Sequence, residues 1–287
     1  MKIGIGTANF GQEYGLINQS NIKSTKKISK ILGLAINSKI KILDTSPNYG
    51  ISEKILGKNK LSNFKIVTKI KFLPREKKTK NLNKLIFTKI KRSLLKLKIK
   101  KFYAILIHQS SDMKNIRGRK ILKILRELKK KKLVSKIGIS IYDPKELDEI
   151  WFSWKPDIVQ CPLNIFDQRI NSSGWLKKLK KYNVEIHVRS VFLQGLLLQS
   201  YENIPKKFDN WSNILKEWSL LCKKNNVSKL DACLNFIKSF NNISYVIVGF
   251  ENINQMEKII KSFRSSKKRV NFSLPCNDEG LIDPRLW

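Results

Sequence analysis

Eight short apolar segments rich in β-branched residues recur along this chain, with longer stretches of helical period between them. They are Lys2–Gly6, Ile40–Asp44, Lys65–Lys69, Tyr103–His108, Lys136–Ser140, Asp157–Cys161, Val184–Arg189 and Tyr245–Gly249. A short, nearly unbroken apolar run is how a strand covered on both faces reads. In the intervening stretches apolar residues return every three or four positions. Ile121, Ile124, Leu125 and Leu128 form one such stripe; Trp211, Ile214, Leu215, Trp218 and Leu221 form another. Strand and helix in alternation predict a parallel sheet shielded by helices. Eight such units in 287 residues, with no Pro/Gly/Ser-rich linker, predict a single domain over 1–287: an α/β fold of the (β/α)8 or TIM-barrel kind. An open doubly wound sheet would usually carry Gly-x-Gly-x-x-Gly after its first strand, and Gly4-Ile-Gly6-Thr-Ala-Asn-Phe-Gly11 lacks that spacing.

Composition bounds the partners. The chain carries 58 Lys+Arg against 22 Asp+Glu, a formal charge of +36. These basic residues are mostly lysines strewn along the sequence, and no nucleic-acid docking motif accompanies them. Runs such as Lys129-Lys-Lys-Lys132 and Lys177-Lys178 read as solvated helix ends, where the macrodipole favours lysine. Neither a specific nucleic-acid partner nor a membrane is expected. Cys161, Cys222, Cys233 and Cys276 form no Cys-x-x-Cys pair and read as reduced thiols. Met1-Lys-Ile-Gly-Ile-Gly6 enters a strand pattern at once, and no apolar run approaches the ~18 residues of a membrane span. A soluble, cytoplasmic protein, monomeric or weakly homo-oligomeric, is the expectation.

Four residues stand at or just past the C-terminal ends of the second, third and fourth segments, the end where a parallel barrel keeps its chemistry. These are Asp44 and Tyr49 in Asp44-Thr-Ser-Pro-Asn-Tyr49-Gly50, Lys69, and His108. Together they suit reduction of a carbonyl. Such a reaction needs a hydride donor at carbon and a proton donor at the oxygen where charge develops. Tyr49 can give that proton, Lys69 can favour its phenolate, Asp44 can hold the lysine charged, and His108 can guide the carbonyl. A metal centre is not expected, because the other histidine, His187, lies inside a strand segment with no carboxylate cluster beside it.

The chain resembles the aldo-keto reductase superfamily. The likeness runs from Gly6-Thr-Ala-Asn-Phe-Gly-Gln-Glu-Tyr-Gly15 to Ile282-Asp-Pro-Arg-Leu-Trp287. Between them lie Asp44-Thr-Ser-Pro-Asn-Tyr-Gly-Ile-Ser-Glu-Lys-Ile-Leu-Gly57, Val67-Thr-Lys69, Leu106-Ile-His-Gln-Ser-Ser-Asp112, Ile137-Gly-Ile-Ser140, Val159-Gln-Cys-Pro-Leu-Asn164, Val188 to Leu197, and Val246-Ile-Val-Gly249 with Gln255. The resemblance places the family's Asp, Tyr, Lys and His tetrad on Asp44, Tyr49, Lys69 and His108. It also implies a nicotinamide cofactor, usually NADPH, with NADH left open. By the family pattern Ser140 and Gln160 meet the carboxamide, Arg189 takes the nicotinamide-stacking position, and Ser190, Gly249 and Gln255 lie along the pyrophosphate and adenine half, near a helix beginning at about Asn252.

Three departures matter. Ser140 is followed by Ile141 where many members have Asn. Arg189 stands where many stack a tyrosine on the nicotinamide. Gly249, Phe250 and Gln255 replace basic residues that often clamp the 2′-phosphate. The expected activity is reduction of an aldehyde or ketone, such as a keto sugar or sugar nucleotide, in a pocket offering Arg189, Lys71, Asn9 and Asn164. The rival reading is a catalytically silent barrel that binds partners through its basic surface.

Overall fold

Parallel strands close into a cylinder in the order of the sequence, each hydrogen-bonded to the next and the last to the first. They are β1 (Lys2–Gly6), β2 (Ile42–Asp44), β3 (Lys65–Ile70), β4 (Phe102–Ile107), β5 (Val134–Ser140), β6 (Ile158–Pro162), β7 (Glu185–Arg189) and β8 (Tyr245–Val248). The computed structural model describes the chain except residues 14, 17–21, 23, 73–75, 77–78, 80, 114 and 266–271, so Tyr14 of the first matched block lies outside the described residues. The strand pattern read from the sequence matches the structure, with small shifts. β2 starts at Ile42 rather than Ile40, because the Ile40 amide instead closes the preceding helix on Ala35 O.

An outer layer covers the cylinder: α1 (Thr25–Asn37), α2 (Ser52–Leu56), α3 (Leu82–Leu97), α4 (Asn115–Lys130), α5 (Lys145–Trp151), α6 (Trp175–Lys181), α7 (Ser212–Lys224), α8 (Lys229–Lys238) and α9 (Ile253–Arg264). Ser24, Asn81, Ser228 and Asn252 cap α1, α3, α8 and α9, each accepting a first-turn amide. The predicted stripe Ile121, Ile124, Leu125 and Leu128 of α4 is buried against the strands. Alternation along each strand divides the apolar residues into two cores. One lies between strands and helices; the other, Ile42, Val67, Ala104, Leu106, Ile158 and Ile247, fills the cylinder. Gly138 makes room for the second, since a Cβ there would lie 2.4 Å from Ile158 O and 2.5 Å from the Leu106 side chain.

At the N-terminal end of the strands a polar cluster closes the barrel. The Tyr103 hydroxyl donates to Glu185 Oε2 at 2.6 Å, the Lys136 ammonium donates to the same oxygen, and His187 Nε2 meets Oε1 at 2.6 Å. Burial alone would raise the Glu185 pKa, but hydrogen bonds from His187, Lys136 and Tyr103 outweigh it and hold the carboxyl at about 2. A carboxylate lowered on folding stabilises the native state above its unfolded pKa, near 4.5, and loses that contribution as pH falls toward 2. Glu185→Gln is therefore expected to cost about 2–3 kcal/mol at neutral pH. In urea unfolding the gap between variant and parent should close between about pH 5 and pH 2. A gap that stays constant with pH would contradict this.

Candidate active site

Asp44 is the last residue of β2, Lys69 the last but one of β3, and His108 the first beyond β4, so all three project toward the C-terminal mouth. Tyr49 comes from the loop after β2, which several contacts hold in place. The Tyr49 amide donates to Ser46 O at 3.0 Å and its carbonyl accepts from Ser52 N at 3.0 Å. Ser52 Oγ donates to Thr7 Oγ1 at 3.0 Å, tying the loop to β1. Gly50 has φ +54°, and a Cβ there would lie 2.2 Å from Gly11 O. Glycine is thus what lets the β1 and β2 loops touch beside Tyr49.

The four predicted residues converge. Lys69 and Asp44, both buried, form a direct ion pair, and the ammonium also donates to Thr45 O at 3.3 Å. Lys69 Nζ lies 5.0 Å from the centre of the Tyr49 ring. The Tyr49 and His108 rings meet edge to face, with centroids 6.4 Å apart at 83°. Burial, with Lys69, Arg189 and Lys71 nearby, lowers the His108 pKa to about 3, so its imidazole is neutral at physiological pH. Its Nδ1 is buried without a hydrogen-bond partner among the described residues. Tyr49 behaves differently from the sequence-based expectation. Burial and the Asp44 carboxylate push its pKa well above the ordinary phenol value, with Arg189 opposing them. The lysine that was expected to lower it is already matched by Asp44, so the phenol is protonated.

The residues expected along a cofactor are placed less uniformly. Gln160 is buried and donates from Nε2 to Asp44 Oδ1 at 2.9 Å, while Ser140 Oγ lies 3.5 Å from Gln160 Oε1. Both are linked to the Asp44 carboxylate, Gln160 directly and Ser140 through Gln160. Arg189 donates to Ile141 O at 2.9 Å and Ser190 Oγ at 3.2 Å, and stacks 4.0 Å above Tyr142. Gln255 is engaged within the start of α9. Its side chain accepts from the Glu251 amide and donates to the Glu251 carboxylate. The polar lining expected for a substrate is similarly occupied. Asn164 donates to Ser190 O and accepts from the Phe166 and Asp167 amides, and the Asn9 amide group donates to Phe250 O.

Other features leave room for an extended cofactor. A Cβ at Gly249 would meet nothing within 4 Å, leaving open space beside the β8 loop. After β7, Ser190, Leu193, Gln194 and Gly195 all have positive φ, a strained succession in which the Leu193 amide donates to Ser190 O and the Gly195 amide to Phe192 O. Asn9 Oδ1 is buried without a partner among the described residues. Open space at Gly249 and an unmatched acceptor at Asn9 suit a nicotinamide dinucleotide, whose amide and hydroxyl groups can donate.

Sequence reasoning missed Tyr142 and the C-terminal turn. Arg285 lies 3.6 Å from the Tyr142 ring centre and Arg189 4.0 Å, so both guanidiniums pack against this ring. Arg285 is held by Asp283, whose carboxyl stays below its usual range despite burial. The terminal Ile282-Asp-Pro-Arg block had carried only resemblance; Arg two residues after Asp, with Pro between, was the available signal of an ordered turn.

The fold is shared with solved structures at low identity. One is aldo-keto reductase AKR11C1 from Bacillus halodurans in its holo form: 18% identity, TM-score 0.74, covering 92% of this chain and 87% of that one. Another is glycerol dehydrogenase AKR11B4 from Gluconobacter oxydans, at 19% identity and TM-score 0.71, covering 93% and 87%. No curated protein sequence matches the chain. Among the described residues no helix is long and apolar enough to cross a membrane. The family model for the aldo/keto reductase family matches residues 2–271. A match over nearly the whole length means that the chain belongs to the aldo/keto reductase family, oxidoreductases that use a nicotinamide cofactor.

Proposed function

We propose that this protein reduces an aldehyde or ketone with NADPH, Tyr49 protonating the nascent alkoxide. The observation that carries the reading is the meeting of Tyr49 with His108 and with the buried Lys69–Asp44 pair at one mouth. The bound cofactor supplies a hydride to the carbonyl carbon. Each protein group then acts on the oxygen or on its neighbours. The neutral His108 ring, with one nitrogen unmatched, can hydrogen-bond to the carbonyl and fix its direction. Tyr49 stays protonated until charge builds on that oxygen, then releases its proton. The phenolate left behind is stabilised by Arg189, with the Asp44-paired ammonium of Lys69 5.0 Å from the ring centre. Asp44, held by Gln160 and Lys69, keeps that ammonium in place. The reverse oxidation would use the same atoms.

Ser190 to Gln194 and the loop from Gly249 to Gln255 are assigned to the cofactor, with Ser140 and Gln160 at its carboxamide end. A polar substrate such as a keto sugar or sugar nucleotide suits a mouth flanked by Arg189 and Lys71. The glycerol dehydrogenase neighbour points to the same broad class, small hydroxylated carbonyl compounds.

The test is oxidation of NADPH by a panel of aldehydes and keto sugars, read as loss of reduced-nicotinamide absorbance across pH. His108 is neutral above about 3 and Tyr49 protonated beyond its ordinary value of 10.0. The kcat/KM profile is therefore expected to be flat from about pH 5 to pH 9. A limb titrating near pH 6–7 would mean that His108 ionises in the working range, against this assignment.

A further inference from the structure

Every turn that joins a helix to the following strand emerges at the N-terminal end of the strands, opposite the mouth that holds Tyr49. Exposed lysines crowd these turns: Lys41 after α1, Lys100 and Lys101 after α3, Lys131 and Lys132 after α4, and Lys155 after α5. Among the described residues the same turns contain one carboxylate, Asp157, already ion-paired with Lys129 at 2.6 Å. Of the other acids, Asp112, Asp143, Asp167, Asp209 and Asp283 lie at the catalytic end, while Glu185, at the start of β7, is already paired with Lys136. Lysines therefore recur from turn to turn around this rim, with little counter-charge in the turns themselves.

Apolar side chains protrude among them. Phe152, directly after α5, is 94% exposed; Leu95, near the end of α3, is 77% exposed; Tyr182, after α6, is 46% exposed. Phe152 rims an open cavity of about 420 Å³ whose walls include Arg126, Trp151, Trp154 and Lys155. Lys155 Nζ lies 4.4 Å over the Tyr182 ring. The helix dipole explains lysine at helix C-termini. It explains neither the missing acids in the turns nor a nearly naked phenylalanine. Lysines on separate turns around a broad rim match a plane of negative charge better than a grooved duplex. Exposed Phe152 and Leu95 have a natural counterpart in acyl chains.

We propose that the N-terminal face of the barrel docks on an anionic phospholipid surface. The lysines sit at headgroup level, Phe152 enters the acyl boundary, and the catalytic mouth faces water. This docking is independent of the reductase chemistry.

The test is co-sedimentation of the full chain with vesicles of phosphatidylcholine alone, or of roughly two parts phosphatidylcholine to one of phosphatidylglycerol, at about 0.15 M salt. The anionic vesicles are expected to carry the protein down and the neutral ones to leave it in solution. A Lys100→Glu, Lys131→Glu, Lys132→Glu, Lys155→Glu variant should bind at least about 100-fold more weakly, since each lysine near such a surface contributes about 1 kcal/mol. The same charge change at the catalytic end, Lys26→Glu, Lys27→Glu, Lys145→Glu, Lys206→Glu, should leave binding within a few-fold of the parent. Phe152→Ser should weaken it roughly five-fold or more. Thermal unfolding checks that each variant folds. Equal losses in the two quadruple variants would reduce the effect to total charge and overturn the proposal. It is also overturned if anionic vesicles fail to retain the parent, if Phe152→Ser binds like the parent, or if an oligonucleotide displaces the protein from vesicles.

Discussion

Replacing Tyr49 by phenylalanine is expected to lower kcat by about 10²–10⁴ while leaving cofactor affinity nearly unchanged. The substitution removes one oxygen and keeps the ring, so the edge contact with His108 and the position under Lys69 survive. What is lost is the proton that neutralises the alkoxide. His108 cannot substitute well, because a neutral imidazole whose pKa lies at about 3 would have to give up its only ring proton. Turnover with a fixed carbonyl substrate, and a fluorescence titration with NADPH, separate the two effects. A Tyr49→Phe enzyme with parental kcat would remove Tyr49 from the role of acid.

The second large effect concerns the pair beneath it. Lys69→Met is expected to destabilise the fold by about 3–5 kcal/mol, because a buried carboxylate loses its counter-charge. Asp44 would keep the hydrogen bond from Gln160 but sit 4% exposed with no cation to match it. The double variant Asp44→Asn, Lys69→Met removes both charges and should regain most of that stability. Activity should not return in either, since the ammonium that supports the Tyr49 phenolate is gone from both. Urea unfolding and kcat measured on the parent, the single and the double variant give the comparison. A double variant no more stable than the single would mean that the pair's charges are not what the mouth depends on.

How much of this was legible in the sequence depends on the distance over which each contact acts. The strands were legible because both of their faces are buried, which leaves unbroken apolar runs such as Ala104 to Ile107 and Val246 to Val248. Ile40 misled because an apolar residue can close a helix as well as begin a strand. Asp44, Tyr49, Lys69 and His108 could be grouped because a parallel barrel brings successive strand ends to one rim. The bond from Gln160 to Asp44 could not be read that way, since it crosses the cylinder between residues 116 apart. Tyr142, packed against both Arg189 and Arg285, depends on a tail that folds back over the mouth. The direction of the Tyr49 shift was misjudged for a related reason: the pairing of Lys69 with Asp44 was foreseen as positioning, yet it also offsets the lysine's charge. Scattered lysines gave no sign that several of them would share the turns at the N-terminal rim, which follows only from where helix ends emerge in a closed barrel.

The central claim is that these four residues direct a hydride and a proton onto one carbonyl. It is tested most directly by following the hydrogen itself, using NADPH carrying deuterium at the transferable position of the nicotinamide ring. With the parent and a keto sugar or aldehyde that it consumes, the account predicts deuterium on the carbinol carbon of the product, and almost none formed by Tyr49→Phe in the same time. Product from the parent that lacks the label, or label delivered equally fast by the variant, would contradict it.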